Sequence, residues 1–198
     1  IRSGRDVIGI AQTGTGKTLA YLIPILMKLG YAQGRYPRAL VVVPTRELVV
    51  QVCESVELLT EYMDIRCLGI YGGTNIRTQQ EAVYEGVDLL VATPGRFMDI
   101  YMNGIIRTQL IRTVVVDEAD RLMDLGFIPQ LRSILDVIPE KHQTLLFSAT
   151  FSPTVAKLAD EFLIAEPARV EVAPQATTVE HVTQQCYRLP NVMTKVNL

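Results

Sequence analysis

Two short stretches concentrate residue types suited to handling a phosphorylated substrate. Residues 11–18 read AQTGTGKT, which sets Gly14 and Gly16 ahead of a lysine and a threonine within one turn. The backbone N–H groups of such a turn, and of a helix starting there, converge on an anion, while Lys17 adds a mobile positive charge and Thr18 a hydroxyl able to hold Mg2+. Ala11, Gln12, Thr13, Gly14, Thr15, Gly16, Lys17 and Thr18 are therefore the candidate nucleotide cradle. Residues 114–120 read VVVDEAD, an apolar strand that ends in adjacent carboxylates. Neighbouring strand side chains point to opposite faces, which gives Asp117 and Glu118 different tasks. Asp117 would approach Mg2+ as a hard oxygen ligand beside Thr18, and Glu118 would position and deprotonate an attacking water. Lys17, Asp117 and Glu118 are thus the candidate catalytic residues. Alone, the glycine turn could merely join a strand to a helix, and the acidic pair could merely cap one. Together they point to phosphoryl chemistry.

The elements that position these stretches alternate. Apolar runs of strand length occur at residues 7–11, 39–43, 66–71, 88–92, 113–116, 144–147 and 169–172. Most are continuous, as expected for strands buried on both faces. Between them, Leu48, Val52, Val56, Leu59 and Met63 recur at helical spacing, as do Ile128, Leu131, Leu135 and Ile138. Each helix therefore offers one apolar stripe to a sheet. Residues 19–29 read as a buried helix that Pro24 should kink or shorten, because proline removes a backbone donor. Ser152 before Pro153 reads as an N-cap with proline in the first helical position. The implied fold is α/β: a mostly parallel sheet with helices on both faces, whose ligands sit at the carboxyl ends of the strands.

The bulk numbers narrow the partners. At 198 residues, with 19 basic and 21 acidic side chains, the net charge is −2. No global positive field draws in a polyanion, so any such partner must be gripped locally. Cys53, Cys67 and Cys186 are scattered and lack metal-ligand spacing, which suggests a reducing compartment without a disulfide framework. Pro24 and Lys28 interrupt the longest apolar run, so no membrane partner is expected.

Asp117, Glu118, Ala119 and Asp120 spell DEAD. With AQTGTGKT upstream and Ser148, Ala149 and Thr150 downstream, the chain resembles the first RecA-like domain of DEAD-box ATP-dependent RNA helicases. Pro44, Thr45, Arg46, Glu47 and Leu48 match that family's PTREL, Gly72 and Gly73 its glycine doublet, and Thr93, Pro94, Gly95 and Arg96 its TPGR, all in the family's order. Residues 120–149, with Phe151 and Ser152, are most similar to the bacterial RhlE-like branch. The strict P-loop string has glycine where Ala11 stands, and alanine there is what the DEAD-box version carries. The resemblance implies ATP and Mg2+ as cofactors. It also implies a sequence-independent grip on single-stranded RNA backbone by Pro44, Thr45, Arg46, Gly72, Gly73, Thr93, Pro94, Gly95 and Arg96. PTREL and TPGR each stand where a strand gives way to a helix, so their N–H groups can hold phosphates without a large net charge. Thr45 and Thr93 also suit plain helix capping. Ser148 and Thr150 would bond to the DEAD segment through Asp120 and connect nucleotide state to RNA grip.

Residues 1–172 are expected to form the RecA-like ATP-binding domain 1, without the family's upstream adenine-reading Q motif. Residues 173–198 are expected to be an interdomain linker and the opening of a second RecA-like domain, the partner that would complete both sites. The resemblance implies an RNA-stimulated ATP hydrolase that unwinds short RNA duplexes or remodels ribonucleoprotein, located in the cytoplasm. An ATP-gated RNA clamp would need the same residues, and a P-loop ATPase acting on DNA or protein is a further alternative.

Overall fold

The computed structural model describes residues 1–172 apart from Thr13 and Ala165. The linker expected over residues 173–198 lies outside the described residues. Strands β1 (Val7–Ile10), β2 (Ala39–Val42), β3 (Cys67–Ile70), β4 (Leu89–Ala92), β5 (Thr113–Val116), β6 (Gln143–Ser148) and β7 (Ala168–Glu171) fall on the seven apolar runs. They form one sheet in the order β3-β4-β2-β5-β6-β1-β7, and every neighbouring pair is parallel. Helices α1 (Lys17–Leu29), α2 (Arg46–Leu59), α3 (Ile76–Glu85), α4 (Pro94–Met102), α5 (Ala119–Asp124), α6 (Ile128–Asp136) and α7 (Pro153–Phe162) connect them.

The strands are mostly apolar because both faces of the sheet are covered. Val41, Leu89, Val91, Val115 and Leu145 meet Tyr21, Leu22, Ile25 and Leu26 of α1 and Val49, Val52 and Val56 of α2. Leu40, Val42, Leu90, Val114 and Leu146 meet Phe97 and Ile100 of α4, Leu131 and Ile134 of α6, and Val155 and Leu158 of α7 on the other face. The period of two along each strand thus sorts its side chains between two cores. The edge strand β7 is the exception, with Arg169, Val170 and Glu171 exposed.

Pro24 does not shorten α1, which runs 13 residues through it to a Gly30 cap at φ 69°. An interior proline costs roughly 3 kcal/mol. Burying four aliphatic side chains, Leu22, Ile25, Leu26 and Leu29, is worth about 1.5–3 kcal/mol each and outweighs it. The Ser152 cap is present, its hydroxyl accepting from the Val155 N–H at 3.3 Å ahead of Pro153. Helix α3 was not legible as a periodic stripe: its sequence, IRTQQEAVYE, buries only Val83.

Candidate nucleotide and nucleic-acid site

Each segment singled out in the sequence lies at the carboxyl end of a strand. In sheet order they read Gly72 and Gly73 after β3, Thr93 to Arg96 after β4, Pro44 to Arg46 after β2, Asp117 to Asp120 after β5, Ser148 to Thr150 at β6, and Ala11 to Thr18 after β1. They occupy one edge over six adjacent strands, about 24 Å at the usual strand spacing. The nucleotide candidates fill one half and the nucleic-acid candidates the other, with the DEAD segment and β6 between them.

The cradle begins where β1 ends. Ala11 continues the ladder by donating to the Ser148 carbonyl at 3.0 Å, and the chain then turns over Gly14 and Gly16 at φ 85° and 87°. These left-handed values favour glycine. The Thr15 hydroxyl closes the turn on the Gln12 carbonyl at 2.6 Å. Gly16 caps α1 without a side chain, which leaves the first helical N–H groups open toward the turn. Thr13 lies outside the described residues. Close packing fixes the strand below: a Cβ on Gly9 would overlap the ring of Phe147, which packs 5.3 Å from the ring of Tyr21.

Lys17 and Asp117 meet in this wall. Lys17 is 9% exposed, and its buried Nζ has no hydrogen-bond partner among the described residues. A buried ammonium without an acceptor is expensive in a finished core and is fitted to an anionic ligand. Asp117 is also buried; its Oδ1 accepts from the Glu118 N–H at 2.8 Å and its Oδ2 from the Tyr21 hydroxyl at 3.1 Å. Burial pushes this carboxyl above its ordinary range, against the Glu118 N–H, the Lys17 charge and the Tyr21 hydroxyl, which favour the ionised form. Burial and the Asp117 charge likewise push the Tyr21 phenol well above its usual value, so it remains a donor. A hollow of about 320 Å³ opens here, bounded by Gly16, Lys17, Thr18, Asp117, Glu118 and, from α2, Gln51. Its hydroxyl and carboxylate oxygens are hard donors of the kind that suit Mg2+, an ion usually held by one or two carboxylates plus substrate phosphates. Tyr21 and Gln51 were not found from sequence. Gln51 lies three residues beyond Leu48 on the same α2, but nothing local marks it as facing the cradle.

Glu118 differs from the strand-alternation expectation. Pairing in β5 ends at Val116, and Glu118 stands at φ 51°, ψ 50° as the cap of α5. Its direction comes from a left-handed turn, a conformation uncommon for a side chain of this size and typical of functional positions. Arg121 holds the carboxylate through Nη1 at 3.3 Å.

Asp120 meets both partners expected of it. Its N–H donates to the Ser148 hydroxyl at 3.3 Å, and its Oδ2 accepts from the Thr150 N–H at 3.1 Å and from the Thr150 hydroxyl at 3.0 Å. The ends of β5 and β6 are therefore tied through side chains at the boundary between the two halves.

The nucleic-acid half is built from helix starts. The Thr45 hydroxyl caps α2 by accepting from the Leu48 N–H at 3.4 Å, whereas the Thr93 hydroxyl makes no cap bond to α4. Pro94 opens α4 in its first turn, and a Cβ on Gly95 would meet no atom within 4 Å. Gly73 sits at φ 80°, while Gly72 has no such constraint and an open face. Among the described residues no atom requires Gly72 to lack a side chain. The arginines are less free than the sequence suggested. Arg96 is 9% exposed and spans to Gln79 Oε1 at 3.0 Å and the Thr74 carbonyl at 3.1 Å, fixing the glycine loop to α4. Arg46 lies over the Tyr71 ring, 5.1 Å from its centroid.

Comparison with known proteins identifies the family and supports the fold. Residues 1–158 match the family model described as DEAD/DEAH box helicase. The chain is 44% identical over 193 residues to the ATP-dependent RNA helicase RhlB of Pseudomonas putida, covering 93% of this chain and 48% of that protein. It is 41% identical over 182 residues to the DEAD-box ATP-dependent RNA helicase CshA of Bacillus subtilis, covering 92% and 36%. Among solved structures, the yeast DEAD-box splicing factor Prp28 superposes with a TM-score of 0.75 at 37% identity over 81% of this chain and 40% of that one. The chain thus spans half or less of the length of these relatives.

Proposed function

The chain belongs to the DEAD/DEAH box helicase family, and we propose that it is the first RecA-like domain of an ATP-dependent RNA helicase, binding ATP with Mg2+ at one half of its strand-end edge and single-stranded RNA backbone at the other. The observation that carries this reading is the strand order, which sorts the candidate segments into two contiguous halves joined by Asp117 to Asp120 and by Ser148 to Thr150.

In this reading the open N–H groups of the cradle and Lys17 hold the phosphates. Thr18 and Asp117 would hold Mg2+, which when bound neutralises phosphate charge and orients the terminal phosphoryl group. Tyr21 fixes the Asp117 carboxylate by donating to Oδ2. Glu118, steadied by Arg121, faces the same hollow and takes the proton from an attacking water. On the other half, helix starts at Thr45 and Thr93 and the open faces of Gly72 and Gly95 admit a sugar-phosphate chain without reading bases. A change at Glu118 reaches that half through α5, whose first turn holds Asp120 and its bonds to β6. A second RecA-like domain of the parent protein, working in the cytoplasm, would close on both halves, bend the RNA and open a short duplex.

The test is ATP hydrolysis by the full-length parent with and without single-stranded RNA. Stimulation by RNA, lost on Glu118→Gln while ATP binding persists, is the expected result. Hydrolysis indifferent to RNA, or driven equally by single-stranded DNA, would overturn the RNA assignment.

A further inference from the structure

At the opposite edge of the sheet lies a smaller hollow of about 150 Å³ that the strand-end site does not use. It forms because α3 and α4 run back against the strands, bringing their C-terminal ends beside the segment that leads into β2. Arg35 and Tyr36 come from that segment, Tyr84 from the last turn of α3, and Ile105 and Arg107 from the chain after α4. The wall is anchored: the Val87 N–H donates to the Arg35 carbonyl at 3.2 Å, and the Arg66 guanidinium bonds to the Gly34 carbonyl.

The lining holds two guanidinium groups, two phenol rings and no carboxylate. Arg35 lies over the Tyr84 ring, 4.9 Å from its centroid. Among the described residues neither Arg35 nor Arg107 is in a salt bridge, whereas Arg38 and Arg66 nearby are both held by the fully buried Asp88, at 3.0 and 2.9 Å. Glu81 and Glu85 of α3 are exposed but do not line the hollow. Uncommitted arginines beside aromatic faces attract a planar ring that carries a phosphate.

Size decides how much of such a ligand enters. Pockets that enclose a drug-sized molecule span roughly 300–1,000 Å³, so this one takes a single ring or phosphate and leaves the rest outside. That suits one unit of a polymer. Helix α3 also links the hollow to the strand-end edge. It starts just after Gly72, Gly73 and Thr74 and ends beside Tyr84; its 10 residues cover about 15 Å at the usual helical rise. Resting on the RNA-binding reading above, we propose that Arg35, Arg107, Tyr84 and Tyr36 form an auxiliary contact for one nucleotide of single-stranded RNA running from the glycine doublet along α3.

The test measures affinity of this chain for a short oligouridylate, long enough only for the strand-end edge, and for a longer one, across a salt series. Arg35→Gln with Arg107→Gln should leave the short strand unaffected and weaken the longer one. The slope of its log affinity against log salt should fall by about 0.7, from loss of the one phosphate contact that a single nucleotide supplies. Tyr84→Ala should weaken the longer strand about tenfold with an unchanged slope, as expected for loss of base stacking. A photoreactive uridine at the end of the longer strand should crosslink to Tyr84 or Tyr36. Unchanged affinity for the longer strand, an equal loss for both lengths, or uridine monophosphate binding in the hollow while the longer strand is unaffected by the substitutions would each overturn the contact. Binding of neither length by the unsubstituted chain would instead refute the RNA reading on which the contact rests.

Discussion

Replacing Lys17 by methionine should stabilise the ligand-free domain while abolishing its response to nucleotide. The buried ammonium has no acceptor among the described residues, and an unsatisfied buried donor costs roughly 1–3 kcal/mol, more when charged. Methionine keeps an unbranched apolar stem in the same space, so little packing is lost. Against this gain stands the attraction between Lys17 and Asp117, which favours the ionised Asp117 carboxyl without overcoming its burial and reduces the gain. The net gain is on the order of 1 kcal/mol, or about 2–4 °C in melting temperature for a chain of this size. Calorimetry of the unsubstituted chain with Mg-ADP at about 100 times its dissociation constant should show about 2.7 kcal/mol of added stability. The variant should show almost none. A ligand-free variant that melts lower than the parent would refute the reasoning, because it would make Lys17 part of a structural ion pair. A retained nucleotide shift would remove Lys17 from the cradle.

Gly9→Ala should lower stability by roughly 1–3 kcal/mol through overpacking against Phe147, read as a lower urea midpoint. Asp88→Asn should destabilise by about 1–3 kcal/mol, since it weakens charge-assisted hydrogen bonds from Arg38 and the partly exposed Arg66 to a buried carboxylate. Burial opposes ionisation of Asp88, but Arg66, the Gln33 and Arg66 N–H groups and Arg38 hold its carboxyl below the ordinary value. Its contribution is therefore present above the unfolded carboxyl's pKa and lost as pH falls through the lower folded value, so the variant should have a flatter acid-unfolding profile. Asp117 has the opposite sign: its raised carboxyl binds a proton more tightly when folded, so its contribution to ligand-free stability falls as pH rises from the unfolded to the folded value. Mg2+ affinity should rise over the same interval, measurable by titration calorimetry with nucleotide. Thr150→Val should remove the hydroxyl bond to Asp120 and, in the full-length parent, reduce RNA stimulation of ATP hydrolysis more than the unstimulated rate. Equal losses in both rates would count against a coupling role.

Local physics made much of this domain legible in the chain. Continuous apolar runs located most of the strands because burial on both faces requires it, while the exposed edge strand β7 showed only alternation. The glycine turn before Lys17 and Thr18 was legible because left-handed backbone and an open helix start have compositional marks. The same is true of the Ser152 cap and of the carboxylates that follow β5. What could not be read depends on distant partners. Helix α3 is mostly polar and buries Val83 alone, with Ile76 half-buried at its start, so its stripe was too weak to see. Tyr21 and Asp117 are 96 residues apart yet share a hydrogen bond. Arg96, expected from the resemblance to grip RNA backbone, is folded onto the loop it supports. The direction of Glu118 follows from a left-handed turn rather than from strand alternation. Above all, the chain order of the strands does not contain their order in the sheet. A helical crossover can return a parallel strand to more than one position with the same local pattern, and only packing selects among them. That selection set β5 and β6 between the cradle and the helix starts, and so made scattered segments into one edge with two halves.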